Sequence, residues 1–248
     1  MSKITWALSS WVCKYPDDLT RVAKDADFKA IEWDLNYIPI PLSIQRIHQL
    51  KKEFNNYGLL LRYHLPYSTC DIGSSRSRIR ETSEKYVQLN LEMIGKLEAD
   101  YAILHFGSYK SNIIPPLDSL INTVELAKEL GITIALENLT IGPTSNPDIL
   151  KKIILKSGAK AALDVGHAIS INNLQNYLYL LGPMVSHVHF YGYEDEKRNH
   201  LPFELPSEAI NTAKNIQNMC SAKWWTCEMD SLNSCIQTKK LLQEHKSP

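Results

Sequence analysis

The sequence contains no uninterrupted apolar stretch near the roughly 20 residues that a membrane-spanning helix needs, which excludes insertion by that route. Its 27 Lys and Arg are matched by 27 Asp and Glu. No overall positive field therefore draws the chain onto nucleic acid or anionic lipid, and only a local basic patch remains open. The five cysteines, Cys13, Cys70, Cys220, Cys227 and Cys235, are odd in number and form no C-x-x-C pair. Reduced thiols in a cytoplasmic protein are expected. Residues Met1 to Trp6 carry neither a signal-peptide apolar region nor a small-residue cleavage site, which argues against secretion. Low-complexity tracts, internal repeats and linker-like stretches are also absent, so residues 1–248 are expected to form one domain. No G-x-G-x-x-G follows the first strand-like segment, which counts against a dinucleotide-binding open sheet.

Short apolar segments are present, each followed by a longer segment of helical periodicity, the alternation that builds a parallel sheet. The expected strands are Ile4–Ser9, Ala30–Asp34, Leu59–Tyr63, Tyr101–Leu104, Thr133–Leu136, Ala161–Leu163, Val185–Val188 and Trp224–Cys227. Between them, Pro16-Asp17-Asp18 opens a helix, Ser83–Leu97 has an apolar stripe, and Gly131 terminates a helix over Leu117–Leu130. Eight βα units favour closure into a (β/α)8 TIM barrel of the α/β class.

In such a barrel the loops at the C-terminal strand ends surround one cavity. Here the third to eighth strands end in His64, His105, Glu137, Asp164 with His167, His187 with His189, and Glu228. His200 follows in the loop after the seventh strand. Three carboxylates in one cavity would repel each other and resist desolvation unless a cation or proton compensates, so imidazoles interleaved with them argue for a metal ion. His187 and His189 are two apart and share a face, and only one of them need be a ligand.

The strand-end sequences His64-Leu65-Pro66-Tyr67, His105-Phe106-Gly107-Ser108, Glu137-Asn138, Asp164-Val165-Gly166-His167-Ala168, His187-Val188-His189 and Glu228 resemble the xylose isomerase-like barrel superfamily. That group includes sugar phosphate isomerases and epimerases and the endonuclease IV family. The resemblance implies one divalent ion, Zn2+ or Mn2+ first and Mg2+ or Co2+ as alternatives, held by Glu137, Asp164, His189 and Glu228. It implies that Glu137 and Glu228 are catalytic, exchanging a proton beside the carbonyl of a small sugar or sugar phosphate. His64 and His105 with a bridging Glu137 leave a second metal site open. Substrate contacts are expected from His167, Arg198, His200, His187, Trp6 and Asn138.

The endonuclease IV branch implies the alternative, phosphodiester hydrolysis at abasic DNA. Its third metal needs an Asp-x-His pair where this chain has Arg198-Asn199-His200, which puts that ion in doubt. A third reading is a ligand-binding barrel without catalysis, because Leu201-Pro202-Phe203-Glu204-Leu205 replaces a Gly-Glu-Gly-like turn; Phe203 and Leu205 suggest a lid or a homo-oligomer interface. Trp6, Trp11, Trp33, Tyr191 and Tyr193 are read first as packing residues, with sugar stacking as the alternative. Lys3, Lys110, Lys197 and Arg62 are read first as solvated charges, with a phosphate contact as the alternative.

Overall fold

The computed structural model describes residues 4–13, 16–36, 42–107 and 114–245. Lys3, Ser108 and Lys110 lie outside them. Among the described residues eight parallel strands close into a barrel: β1 (Thr5–Ser9), β2 (Ala30–Asp34), β3 (Leu60–His64), β4 (Tyr101–Leu104), β5 (Thr133–Glu137), β6 (Lys160–Asp164), β7 (Val185–Phe190) and β10 (Trp224–Cys227). A two-stranded antiparallel hairpin, β8 (Tyr193–Glu194) and β9 (His200–Leu201), interrupts the run after β7. β1 pairs with β2 on one side and β10 on the other, and this closes the ring. Around it lie α1 (Pro16–Asp25), α2 (Ile44–Tyr57), α3 (Ser77–Lys96), α4 (Asp118–Glu129), α5 (Pro147–Ser157), α6 (Val165–Ser170), α7 (Leu174–Leu181), α8 (Pro206–Met219) and α9 (Leu232–Glu244).

The expected barrel is the observed one, a single α/β TIM-barrel domain, with strand boundaries displaced by a residue or two. The largest displacement among the expected helices is at the start of α3, at Ser77 instead of Ser83. Its first turn reads Ser-Arg-Ile-Arg, and the one apolar residue there, Ile79, is exposed. No buried stripe exists at that end for periodicity to reveal. Gly131 does follow α4, at φ 78°, a conformation that costs glycine little.

The main core lies between the outer barrel wall and the helices, where Leu8, Ile31, Tyr63, Leu104, Leu136, Leu163, Val188 and Trp225 meet the helical apolar faces. The barrel interior is built differently. Its apolar content falls into two small clusters, Tyr101, Ile103, Ala135 and Ala162, and Ala7, Ala30 and Trp224. Four alanines leave room in the lumen, and the space is filled by buried polar side chains including Glu32, His187 and Thr226.

Candidate metal centre

Strand alternation sends His64, Glu137, Asp164 and His189 to the upper lumen, and the chain turns just beyond β10 bring in Glu228. Asp164 is the last residue of β6 and also the N-cap of α6. Its Oδ1 accepts from the His167 backbone N–H at 2.7 Å, which commits one carboxylate oxygen and leaves Oδ2 free. Asn138 fixes the same strand end, donating through Nδ2 to the Asp164 carbonyl and accepting through Oδ1 from its N–H, both at 2.8 Å. Gly166 lies against the Tyr191 ring, where a Cβ would come within 2.0 Å of it. The Asp164-Val165-Gly166-His167 turn therefore requires glycine at its third position.

Five overlapping groups of donors converge closely enough to hold an ion, Glu32 with His187 and His189 at the lower level and Glu137 with Asp164 and His167 bridging its neighbours, and three define the cavity: His64, His105 and Glu137; Asp164, His189 and Glu228, with Glu137 adjoining; and His167, Glu194 and His200. In the first, Nε2 of His64 and of His105 lie 3.1 and 3.3 Å from Glu137 Oε2. In the second, His189 Nδ1 is 3.0 Å from Glu228 Oε2, 3.4 Å from Glu137 Oε2 and 3.7 Å from Asp164 Oδ2. In the third, Nε2 of His167 and of His200 point at Glu194 Oε1 from 3.5 and 3.4 Å. Backbone carbonyls fix several of these rings: Nδ1 of His64, His167 and His200 donates to the carbonyls of Leu65, Asn138 and Glu228 at 3.0, 3.0 and 2.9 Å. Each ring thereby presents Nε2 to the cavity, where it bonds a carboxylate while protonated and offers its lone pair once neutral, as a metal-binding imidazole requires.

The residues fit divalent ions on a further observation. Asp164 Oδ2, Glu228 Oε2 and His189 Nδ1 are buried without a hydrogen-bond partner. Buried polar atoms of native proteins are rarely left so, and an ion at their meeting point satisfies them together.

A family model described as a xylose isomerase-like TIM barrel matches residues 20–234. The chain belongs to this family. Among curated relatives, two uncharacterized proteins of Methanocaldococcus jannaschii, MJ1614 and MJ1311, are 28% and 26% identical, over 75% and 82% of this chain and 78% and 76% of theirs. Among solved structures, a D-tagatose 3-epimerase-like protein superposes with TM-score 0.77 at 21% identity, covering 97% of this chain and 96% of that one. D-allulose 3-epimerase from Methylomonas sp., in complex with D-allulose, gives TM-score 0.74 at 14% identity over 99% and 98% of the two chains. At these identities the structural likeness establishes the shared fold.

Within this xylose isomerase-like barrel the upper cavity measures about 270 Å³ and is lined by His64, His105, Glu137, His167, Glu194, Arg198, His200 and Glu228, with Trp11 and Tyr67 as aromatic walls. Tyr67 stacks on His105 at 4.3 Å, and Trp11 lies 4.5 Å from the His200 ring. The electrostatics of the ion-free pocket are divided. Burial pushes the Glu137 carboxyl up, but His105, His189 and their neighbours bring it well below its ordinary value. Burial raises Glu228, with Glu137 adding to the rise against the pull of His189 and His200. Burial opposes protonation of His64, yet Glu137 beside it pushes that ring up to about 9.

Several expected substrate contacts lie elsewhere. Trp6 alternates out of the barrel into the helical layer, where it meets Trp225 edge to face at 5.7 Å. His187 is one layer below the cavity and fully buried, and Asn138 spends its amide on the Asp164 backbone. Arg62 is no solvated charge: its guanidinium is stacked 3.7 Å over Tyr101 and 4.4 Å over Trp224 inside the barrel. Phe203 packs on Phe190 at 5.3 Å and does not line the cavity as a lid, while Leu205 is exposed.

Two functional carboxylates escaped the sequence reading. Glu194 comes four residues before Arg198, and the β8–β9 register, Glu194 opposite His200, places it in the third donor group. It supplies the anion that Arg198 does not. Sequence spacing alone does not reveal that register. Glu32 lies in β2, buried between His187 and His189, and its signal was a single acid within the apolar run Ala30-Ile31-Glu32-Trp33.

Proposed function

We propose that this chain is a divalent-metal-dependent isomerase or epimerase of a small sugar or sugar phosphate, in which Glu137 and Glu228 exchange a proton with the carbon beside the substrate carbonyl, passing through an enediolate. The observation that carries this reading is that the two glutamates, from strands on different sides of the ring, converge on one imidazole nitrogen, His189 Nδ1, at 3.4 and 3.0 Å, and line the same small cavity. Its volume of about 270 Å³ suits a ligand of a few carbons, at or just under the lower end of the usual range for small-molecule sites.

The ion, held by Glu137, Asp164, His189 and Glu228, supplies polarisation of the substrate carbonyl when bound. The chain's own residues supply the rest. Glu137, the more acidic of the pair, is the base, and Glu228, whose proton is held more tightly, returns a proton to the neighbouring position. Arg198 faces the cavity as a hydrogen-bond donor to hydroxyl or phosphate oxygens, His167 does so in its protonated form, which burial opposes but the neighbouring Asp164, Glu137 and Glu194 favour, and Trp11 and Tyr67 exclude water from its flanks. The carboxylate-rich group suits Mn2+, Mg2+ or Co2+, whereas the two histidine-rich groups suit Zn2+.

The test is proton exchange with solvent deuterium across a panel of ketoses, aldoses and their phosphates. Glu137→Gln and Glu228→Gln should each abolish label incorporation while leaving substrate binding largely intact. Full turnover in both variants eliminates the mechanism.

A second reading, hydrolysis of a phosphodiester at abasic DNA, is favoured by one observation, the completion of a third donor group by Glu194. Incubation with an abasic-site oligonucleotide and Zn2+ separates the two, since incision belongs to this reading and no incision rules it out.

A further inference from the structure

Below the metal centre a line of hydrogen bonds crosses the barrel. Arg62 enters from β3 and His187 from β7, which face each other across the ring. Arg62 Nη1 lies 3.0 Å from His187 Nδ1; His187 Nε2 lies 3.0 Å from Thr226 Oγ1; and Thr226 Oγ1 donates to Glu32 Oε2 at 2.9 Å. The other oxygen, Glu32 Oε1, faces His189 Nε2 at 2.9 Å. We infer that Arg62 is a positioning residue for the centre: by donating to His187 Nδ1 it fixes which nitrogen of that ring turns its N–H toward Thr226 and Glu32, the carboxylate beneath His189.

A guanidinium only donates, and an ionised carboxylate only accepts. Between those two ends the intervening groups have one consistent arrangement. Arg62 donates to Nδ1 of His187, so that ring carries its proton on Nε2; Nε2–H lies between Glu32 Oε2 at 2.7 Å and the Thr226 hydroxyl at 3.0 Å, and the hydroxyl donates its own hydrogen to the same Glu32 oxygen. Reversing any member leaves a buried donor facing a donor or an acceptor facing an acceptor, a costly arrangement in so dry a place. The guanidinium lies 3.7 Å over the Tyr101 ring and 4.4 Å over that of Trp224, stacking that a lysine ammonium does not reproduce. With Glu32 as the acceptor at Nε2, the neutral ring of His189 keeps its proton there and offers Nδ1 to an ion among Glu228, Asp164 and Glu137. The arrangement also accounts for both histidines of His187-Val188-His189: one is a ligand, and the other belongs to the supporting chain.

This inference rests on the reading of His189 as an ion ligand, so the experiment has two separate readouts. The first uses the full, metal-free chain with 15N-labelled histidine, whose two-bond imidazole spectra report which nitrogen carries the proton. His187 is expected to be neutral and protonated at Nε2 alone, and Arg62→Met is expected to admit the Nδ1–H form. A wild-type His187 protonated at Nδ1, or a tautomer unchanged by Arg62→Met, overturns the inference; the wild-type spectrum decides even where the variant does not fold. The second readout is Mn2+ and Zn2+ affinity. Arg62→Met should weaken binding by about 10–100-fold in the wild-type background, the range for supporting partners of metal ligands, and should add nothing once Glu32 is already Gln. Losses that simply add mean that Arg62 acts by packing alone and overturn the relay. Should the wild-type chain bind neither ion, the proposed function fails, while the imidazole spectra still judge the relay.

Discussion

The two halves of the barrel lumen use the same residue types to opposite ends. In the upper half, imidazoles and carboxylates converge with unsatisfied atoms: Asp164 Oδ2, Glu228 Oε2 and His189 Nδ1 have no hydrogen-bond partner. In the lower half, Glu32, His187 and Thr226 are equally buried, but Thr226 and His187 are joined in a directed chain to Arg62. Burial pushes His187 down to about 3, so it is a neutral link, whereas burial fails to neutralise His189 because Glu228, Glu32 and Glu137 surround it and raise it well above its ordinary value. Buried histidine and glutamate are thus not in themselves a site. What marks the upper half is that its unpartnered atoms are metal-ligand oxygens and nitrogen, Asp164 Oδ2, Glu228 Oε2 and His189 Nδ1, whereas those of the lower half, Arg62 Nε and Trp224 Nε1, are donors that hold no metal.

The sharpest way to break this contrast is to remove one polar group from each half. Glu137→Gln should cut kcat by about 10²–10⁴-fold, the usual worth of a positioned acid–base group, in a steady-state assay on the turned-over sugar. Loss of equal size from Thr226→Val would mean that the two halves are not functionally distinct. Next, Glu194→Gln should remove the ion of the third donor group and leave the ion at His189 in place, as read by metal content per chain. An unchanged ion count contradicts the role given to the hairpin.

Most of the upper half was legible in the sequence, because the ligand-type residues stand at strand ends and strand ends follow from apolar runs. His64, His105, Glu137, Asp164, His167, His189, His200 and Glu228 all reach the upper lumen or its rim. What escaped depends on register and depth. Glu194 enters through cross-strand pairing in a hairpin, and Trp6, one residue from the inward Ala7, is sent outward by strand alternation. Arg62 looks like any surface cation until Tyr101 and Trp224, distant in sequence, are found on either side of it.

A smaller effect is expected where the upper half meets its packing. Gly166→Ala drives a methyl group into the Tyr191 ring and should destabilise the fold by about 1–3 kcal/mol, the range for overpacking, measurable by denaturant unfolding. Stability equal to wild type would show that Tyr191 yields freely. Smallest is the dependence on pH. His64 is raised from 6.5 to about 9, so in the ion-free protein its contribution is complete below pH 6.5 and is lost as pH climbs through about 9. The melting temperature without metal should therefore fall between those values. The added stabilisation by Zn2+ should grow over the same interval, because the ion competes with those protons. A metal-free melting temperature that rises across this window contradicts the pairing of His64 with Glu137.

The central claim is that an ion sits where Asp164, His189, Glu228 and Glu137 meet, and anomalous scattering from crystals grown with Mn2+ or Zn2+ tests it most directly. The account predicts a strong peak within coordination distance of His189 Nδ1, Asp164 Oδ2 and Glu228 Oε2. Crystals saturated with either ion that show no peak there, or a peak only at surface carboxylates, would contradict it.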